Sequence, residues 1–435
     1  MKTNTKFLGA ATLALFLFCA LSYGQNLKIN DLDYFEGRGF NTFVYSNVYQ
    51  GIFCDEKEAG VELILRGVRV ATGGGVRLMN TPEQWDIYPE LGSRTVDKAA
   101  GTITVVLNYP DYDFSSKLVV SSAGKGVNMS LYLDKPIPAK LEGKAGMNIE
   151  FFPATYFGKT FLMDGAAGIL PERPAADTQT RPVSEKVPQF YGLSTFDDRG
   201  RGEFIVPSPL ASGHKLVLAP EDDNLRVAIS SADMINLFDG RVLAQNGTFV
   251  VRTILPSGKT GKVAEWNIEP SYDAKWVRQP NVGFSQIGYT PAQKKVSVIE
   301  LDRNDKVLKS ASIIRIKDSG ERVLALTVPV KEWGGFNNRY KYAMADFSSI
   351  TEPGLYCIEY GNVKTNPFPV GKNVYDGKWH TTMDVWLPVQ MDHMEVNEGY
   401  RTWHGKSHMD DALQAPLNYS QFDGYTQKGE TNTKY

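Results

Sequence analysis

The chain has 435 residues, which is enough for two or three domains. Hydrophobic residues make up 42% of the sequence and charged residues 22%, so the composition is that of a folded globular protein and excludes disorder of the whole chain. The formal net charge is −2 and no cluster of lysine and arginine stands out, which argues against nucleic acid or an anionic membrane as a partner.

Residues 1–24 have the pattern of a signal peptide. Lys2 and Lys6 precede an apolar stretch from Leu8 to Leu21, and small residues follow it at the expected cleavage site. This stretch is shorter than the ~20 residues that span a membrane comfortably, and no second long apolar stretch follows. We therefore expect a secreted protein, periplasmic or extracellular, without a transmembrane segment.

Removal of the signal peptide leaves two cysteines, Cys54 and Cys357. Because they lie far apart and in different predicted domains, they do not form a disulfide framework. Free cysteines are among the residues most often buried, so both are predicted to be buried thiols.

Residues 25–270 are predicted to form a large antiparallel β-sandwich. Apolar and polar residues alternate over short runs such as Val61–Leu65 and Val127–Leu133, and turn residues separate the runs. The triple glycine 73–75 follows a strand and is predicted to form a turn or a bulge. Residues 170–189 contain four prolines and are predicted to form a long surface loop.

Residues 271–373 are predicted to be a second β domain, after an extended connector at 270–280. Beyond Val374 the spacing changes, because Trp379, Met383 and Trp386 recur every three or four residues, which is typical of a helix. The predicted strands of the second domain are Val296–Leu301, Ser312–Ile316, Val323–Val328 and Leu355–Tyr360.

Three segments of this region carry a resemblance to a known family. They are SQIGYTP at 285–291, the stretch DFSSITEPGLYCIEYGNVKTNPFPVGKNVYD at 346–376, and HGKSHMDDA at 404–412. In order and spacing they resemble glycoside hydrolase family 9 of the cellulase D type. The resemblance implies an immunoglobulin-like β-sandwich at 271–373 and the short helical start of an (α/α)6 catalytic barrel at 374–435. The fold class is thus predicted to be mainly β.

The resemblance implies an enzyme of the endo-β-1,4-glucanase or cellulase type. Such enzymes hydrolyse β-glucan polysaccharides or oligosaccharides with inversion, using an aspartate as base and a glutamate as acid, and need no cofactor for the chemistry. The family's catalytic aspartates lie in a Gly-Gly-Trp-x-Asp-Ala-Gly-Asp segment, which this sequence lacks, and no counterpart of the acid glutamate is found. We therefore expect a C-terminally truncated and inactive chain with no catalytic residue of its own.

His404 and His408 are candidate metal ligands, because imidazoles four residues apart share one face of a helix. In the family, the matching stretch has a His-x-x-Cys-His pattern and a second cysteine upstream. Here Ser407 and Asp392 stand at the two cysteine positions. By this resemblance, His404, His408 and Asp392 are the candidate ligands of a structural zinc or calcium ion. The alternative is that the histidines only make hydrogen bonds or lie at the surface.

Trp85 and Tyr88 are candidates for sugar binding, since they lie close together in a polar stretch and aromatic rings stack on sugars. A tryptophan in a β domain is more often part of the core. We predict this core role for Trp266, Trp276 and Trp333.

Two other functions remain open. The chain could be a secreted carbohydrate-binding or surface-interaction β-sandwich protein without any catalytic role. It could also be a metal-dependent enzyme built on His404, His408, Asp410 and Asp411. Adjacent aspartates cannot flank a sugar from opposite sides, so Asp410 and Asp411 are better read as hydrogen-bonding residues at the start of a helix.

Overall fold

The computed structural model describes residues 27–46, 48–51, 54–58, 60–78, 89–183, 194–196, 202–243, 247–336, 340–383, 396–398 and 401–403. The chain divides into two compact units, the first ending at Arg278 and the second starting at Gln279. Both units are mainly β, as the sequence predicts. In the described ranges, no helix combines the length and the apolar character needed to cross a membrane.

The first unit consists almost entirely of strands. Its one α-helical turn in the described ranges is α1 (Pro153–Tyr156), and 3-10 turns occur at Pro110–Tyr112, Ala139–Leu141 and Gly240–Leu243. The strands are β1 (Lys28–Ile29), β2 (Phe35–Gly37), β3 (Phe40–Val44), β4 (Val48–Gly51), β5 (Cys54–Glu58), β6 (Val61–Leu65), β7 (Val68–Arg77), β8 (Glu90–Asp97), β9 (Thr102–Tyr109), β10 (Phe114–Ala123), β11 (Gly126–Leu133), β12 (Gly146–Phe151), β13 (Thr160–Met163), β14 (Ala166–Ile169), β15 (Thr178–Val183), β16 (Ser194–Phe196), β17 (Gly202–Pro207), β18 (Ala211–Leu218), β19 (Val227–Asp239), β20 (Phe249–Ile254) and β21 (Gly261–Pro270).

One antiparallel ladder runs through most of these strands, in the order β1-β2-β3-β6-β7-β12-β20-β19-β21-β11-β10-β9-β8. Strand β19 joins its two halves. Residues 227–230 of β19 pair with β21, and residues 236–239 pair with β20. On its other edge, β19 pairs with β18 along both parts. The ladder therefore forms two sheets that share one long strand, which is the sandwich predicted from the sequence.

Alternation along the strands separates the core from the surface. In β9, Ile103, Val105 and Leu107 are fully buried while the residues between them are partly exposed. Strand β11 buries Met129 and Leu131 in the same way, and β21 buries Trp266, whose Nε1 donates to the Thr253 hydroxyl at 2.9 Å. Each fully buried large apolar side chain stabilises the fold by about 1.5–3 kcal/mol relative to exposure.

The triple glycine lies within β7 and forms a bulge, so this prediction is confirmed. The pairing of β7 with β12 shifts register between Met147 and Ile149. Gly74 has a φ of +83°, and a Cβ at this position would lie 2.5 Å from Cγ2 of Val61. Only glycine meets both constraints.

The predicted long loop at 170–189 is wrong in part, because β15 (Thr178–Val183) pairs with β17. The two strands form a small sheet in which β17 is central and β15 and β16 are its edges. Proline cannot donate to a ladder, but it is tolerated on an edge strand, and Pro182 lies on such a strand. The prolines therefore do not exclude a strand here.

A buried ion pair holds the start of the segment that leads to β15. Asp239 is fully buried, and Arg241 donates from Nε and Nη2 to its two carboxylate oxygens, both at 2.8 Å. Arg241 also donates to the carbonyl oxygens of Pro171 at 2.6 Å and Glu172 at 2.9 Å. One guanidinium thus satisfies a buried carboxylate and holds the chain that leads to β15.

The second unit consists of β22 (Asn281–Gly283), β23 (Val296–Asp302), β24 (Ser310–Ile316), β25 (Arg322–Phe336), β26 (Tyr340–Asp346), β27 (Gly354–Tyr360), β28 (Val363–Lys364), β29 (Phe368–Val370), β30 (Val396–Glu398) and β31 (Arg401–Trp403). Strands β22 to β28 pair in the order β22-β23-β26-β25-β24-β27-β28, and β29 pairs with β27. The four strands predicted from the sequence in this domain all occur.

Strand β25 belongs to both sheets of this sandwich. Its first part, up to Pro329, pairs with β24, and residues from Val330 onwards pair with β26. The core between the sheets contains Tyr289, Phe347 and Phe368, whose ring centroids lie 5.4–5.8 Å apart. Aromatic packing and apolar burial hold the sheets together, and Cys357 is a buried free thiol, as predicted.

Lys295 is a fully buried lysine in this unit. Its ammonium group donates to the carbonyl oxygens of Gln293 at 2.7 Å and Pro291 at 2.9 Å. Burial lowers the pKa of Lys295, and the nearby charge of Asp346 opposes this shift. The ammonium group therefore ties the turn that follows the SQIGYTP segment to the start of β23.

The helix predicted beyond Val374 is confirmed only at its start. Residues 380–383 are helical, and the amide of Met383 donates to the carbonyl of Trp379. Residues 384–395 lie outside the described part of the chain. The hairpin of β30 and β31 follows, which the sequence did not predict.

The Asp239–Arg241 pair leads to a test of stability. We expect Arg241→Ala to lower the free energy of unfolding of the first unit by about 3–5 kcal/mol, because Asp239 would stay buried without its partner. Lys98→Ala is the matched control: it removes two exposed ion pairs, with Asp33 at 3.2 Å and Asp31 at 3.7 Å, and should cost at most about 1 kcal/mol. Urea unfolding followed by tryptophan fluorescence measures both. Equal losses in the two variants would contradict the assignment.

Candidate functional site

The residues that the sequence marks as candidate site residues fall in undescribed stretches. Trp85, Tyr88, Asp392, His404 and His408 lie outside the described residues, as do Asp410 and Asp411. Their sugar-binding and metal-binding roles stay predictions. In the part of the chain that the structure does describe, no group of three or more His, Cys, Asp or Glu side chains is placed to hold a metal ion.

The three tryptophans assigned to the core have different environments. Trp266 is fully buried, as predicted. Trp276 is half-buried, and the guanidinium of Arg66 lies 5.8 Å from its ring centroid. The prediction for Trp333 is wrong, because its side chain is 61% exposed on the outside of a sheet.

A polar groove of about 400 Å³ lies on the outer side of β11, β21 and β19 in the first unit. We call it the β21 groove; it is lined by Asn128, Ser230–Asp233, Lys259, Lys262–Glu265 and Asn267. The alternation that buries Met129 and Trp266 inside the sandwich turns Asn128 and Glu265 outward. The groove is thus built from the solvent face of the same strands whose other face forms the core.

The middle of β19 forms one wall of this groove. Residues 231–235 lie between the part of β19 that pairs with β21 and the part that pairs with β20. The Ser231 hydroxyl donates to the backbone carbonyl of Glu265 at 2.7 Å and accepts from the amide of Asp233 at 3.0 Å. The point at which β19 passes from one sheet to the other thus leaves room for the groove.

Hydrogen bonds fix the polar side chains of the groove. The Ser130 hydroxyl donates to Oε2 of Glu265 at 2.6 Å, and the Lys262 ammonium donates to the same oxygen at 3.0 Å. Asn267 donates from Nδ2 to Oδ1 of Asn128 at 2.8 Å. Side chains locked in this way form a preorganised set of donors and acceptors.

The charge state of Glu265 follows from these contacts. The hydrogen bond from Ser130 lowers the pKa of Glu265 and Lys262 lowers it further, whereas burial opposes the shift. The carboxylate is therefore ionised at neutral pH and accepts hydrogen bonds. A proton donor for glycosidic bond cleavage needs a raised pKa, so Glu265 is suited to binding rather than to acid catalysis.

The groove carries no net charge. Lys259 and Lys262 face Asp233 and Glu265, and the rest of the lining is amide, hydroxyl and aliphatic. Tyr132 lies directly opposite Lys262 in the β11–β21 ladder and adds a partly exposed aromatic ring beside the groove. Such a surface suits a neutral ligand with many hydroxyl groups.

The sequence contains a signal for the outward faces of the two strands that line this groove. Asn128, Ser130 and Tyr132 alternate with the apolar residues of β11, and Glu265 and Asn267 do the same in β21. This pattern shows which residues face outward. It does not show that β11 and β21 are neighbours, since they are far apart in the chain.

The fold and the groove can now be compared with known proteins. Residues 277–365 match the family model of the cellulase N-terminal Ig-like domain. This match confirms the resemblance to family 9 glycoside hydrolases in the second unit. It covers the β-sandwich that begins at β22 and includes β27.

Solved structures of this family are also similar to the chain. One is "Bacteroides ovatus GH9", with 23% identity, a TM-score of 0.24, and coverage of 35% of this chain and 26% of that chain. Another is a metagenome-derived glycoside hydrolase family 9 endoglucanase, with 20% identity, a TM-score of 0.23, and coverage of 35% and 28%. The chain thus spans little more than a quarter of the length of either. Among curated proteins there is no match.

The ionised Glu265 leads to a prediction about pH. The pKa of Glu265 in the folded state is below its ordinary value of 4.5. The ionised carboxylate therefore stabilises the fold above pH 4.5, and this stabilisation is lost as the pH falls through the pKa of the folded state. We expect the difference in unfolding midpoint between wild type and Glu265→Gln to shrink as the pH falls from about 5 to about 3.

Thermal unfolding at a series of pH values measures this difference. Glu269→Gln, which changes an exposed carboxylate on the same strand, is the matched control. A Glu265→Gln variant whose midpoint differs from the wild type by the same amount at every pH would contradict an ionised, hydrogen-bonded Glu265.

Proposed function

We propose that this chain is the exported, non-catalytic N-terminal part of a β-glycan hydrolase of the endo-β-1,4-glucanase type. The single observation that carries the proposal is the match of residues 277–365 to the cellulase N-terminal Ig-like domain. Export is supported by the signal-peptide pattern at residues 1–24. The substrate would be a β-linked polysaccharide or oligosaccharide.

The inverting hydrolysis itself needs residues that this chain does not supply. An inverting glycosidase places an acid and a base on different elements, about 6.5–9.5 Å apart, so that a water molecule fits between the base and the sugar. The sequence lacks the Gly-Gly-Trp-x-Asp-Ala-Gly-Asp segment that carries the family's base.

For the first unit we propose that the β21 groove binds sugar hydroxyl groups. Its amide, hydroxyl and carboxylate groups are fixed by hydrogen bonds between neighbouring strands and carry balanced charge. The groove also supports the second candidate function, that of a secreted carbohydrate-binding protein without a catalytic role. Sugar binding requires no catalytic residue.

We expect no hydrolysis by the purified chain. The measurement is the release of reducing ends from soluble mixed-linkage β-glucan and from hydroxyethyl cellulose, with a known endoglucanase as positive control. The same assay on the product of the complete reading frame separates the two candidates. If the frame continues into the missing catalytic segment, that product should hydrolyse the glucan.

Two outcomes would contradict the proposed function. Hydrolysis by the purified chain would show that the catalytic residues lie within it. A reading frame that stops after the Tyr435 codon would favour the carbohydrate-binding protein instead. Affinity electrophoresis in gels containing β-glucan would then be the measurement of its activity.

A structural zinc or calcium ion at His404, His408 and Asp392 remains part of the proposal. Imidazole suits zinc, whereas carboxylate oxygens suit calcium as well. We expect elemental analysis of the dialysed protein to give about one equivalent of metal, reduced in His408→Ala. A metal content that is the same in this variant as in the wild type would rule out this ligand set.

A further inference from the structure

An exposed aromatic surface lies on the outer side of the sheet formed by β22, β23, β26 and the second part of β25. We call it the aromatic face; it comprises Val298, Trp333, Phe336, Tyr340, Tyr342 and Met344. Trp333 is 61% and Phe336 58% exposed. Contiguous exposed apolar side chains of this kind mark interaction sites.

A β-bulge places Trp333 in this surface. In the β25–β26 ladder, Glu332 pairs with Ala343 and Gly334 with Tyr342, so Trp333 is the extra residue. Gly334 has a φ of +138°, which lies in the region that favours glycine. A bulge of this kind re-aims a side chain, and here the indole lies 6.3 Å from the ring of Tyr342 at 84°. The two rings form a corner open to solvent.

Polar groups border the rings. Tyr342 donates from its hydroxyl to Oε2 of Glu300 at 2.9 Å, and Asn281 lies opposite Glu300 on the edge strand. Asn281, Glu300, Tyr342 and Gly334 thus stand in one row across the sheet, about 15 Å long at the usual strand spacing. The row has the length of a short oligosaccharide.

The charges beside the aromatic face have opposite signs. Lys331 lies opposite Met344 on one side, and Glu300 lies on the other. Asp302 lies opposite Tyr340, so charged groups of both signs border the face. Rings bordered by an amide, a carboxylate and an ammonium group can contact both the C–H faces and the hydroxyl groups of a neutral sugar.

We propose that the aromatic face binds a β-linked glycan chain. The pyranose rings pack in the corner between Trp333 and Tyr342. Glu300 accepts hydrogen bonds from the sugar hydroxyls, and the Asn281 amide donates to them or accepts from them. The inference that the ligand is a β-glycan rests on the proposed function. The inference that the surface is a binding site rests on the geometry of β25 and β26. Binding here is separate from the β21 groove, which belongs to the other unit.

The test is affinity electrophoresis and titration calorimetry of the wild-type chain with soluble mixed-linkage β-glucan. We expect Trp333→Ala to weaken binding about tenfold or more, because the largest ring of the face is lost. Trp379→Ala is the matched control, since Trp379 is also 61% exposed in the same unit but lies outside the face. It should bind as the wild type does.

Two further variants separate ring loss from misfolding. Trp333→Phe keeps an aromatic ring and should retain most of the affinity. Gly334→Ala leaves all side chains of the face intact and meets no atom within 4 Å, but it strains the bulge that aims Trp333. It should therefore weaken binding while circular dichroism still shows a folded β-protein.

Each result decides the proposal. Wild-type binding that Trp333→Ala leaves unchanged would overturn the aromatic face as a glycan site and leave the proposed function intact. No binding by the wild type would overturn both the aromatic face and the β21 groove as sugar-binding surfaces, while hydrolysis by the product of the complete reading frame would still decide whether the chain belongs to a β-glycan hydrolase. Self-association abolished by Trp333→Ala would assign the face to a second copy of the chain instead.

Discussion

Each unit depends on a long strand of its own that hydrogen-bonds in two sheets. In the first unit, β19 pairs with β21 through its first residues and with β20 through its last. In the second, β25 changes partner at Pro329, which has no amide to donate. A strand that two sheets share leaves each sandwich with one unpaired sheet edge fewer. The ladder must break locally where this strand changes its partner. The candidate binding surfaces lie on these same strands, in the middle of β19 and beside the bulge in β25.

The two described segments that carry the family resemblance, at 285–291 and 346–376, supply packing residues of the second unit. Tyr289 from SQIGYTP meets Phe347 and Phe368 in the core of the second unit. Gly288, with a φ of +107°, allows the close approach of Pro369, whose carbonyl oxygen accepts from the amide of Tyr289. These residues meet strict packing demands whatever ligand the protein binds. A likeness in them therefore identifies the sandwich, whereas substrate choice depends on other residues.

The strands were largely predictable, whereas the candidate sites were not. Alternation with a period of two residues marks a strand such as β9 directly, because one of its faces is buried and the other is partly exposed. The strand at Thr178–Val183 was missed because its proline suggested a loop, although an edge strand tolerates one. Trp333 was assigned to the core by its residue type. Its exposure follows from a bulge at Gly334, which depends on pairing with a strand that the sequence alone does not position.

The electrostatics of the two surfaces favour the same class of ligand. In the β21 groove two lysines face two carboxylates, and beside the aromatic face Lys331 and the acidic residues Glu300 and Asp302 carry opposite charges. Balanced charges fix side chains through local hydrogen bonds, but they give little attraction at a distance. A ligand must then be held by short-range contacts, namely hydrogen bonds to hydroxyl groups and packing against rings. The neutral glycan proposed as the ligand of each surface offers such contacts along its length.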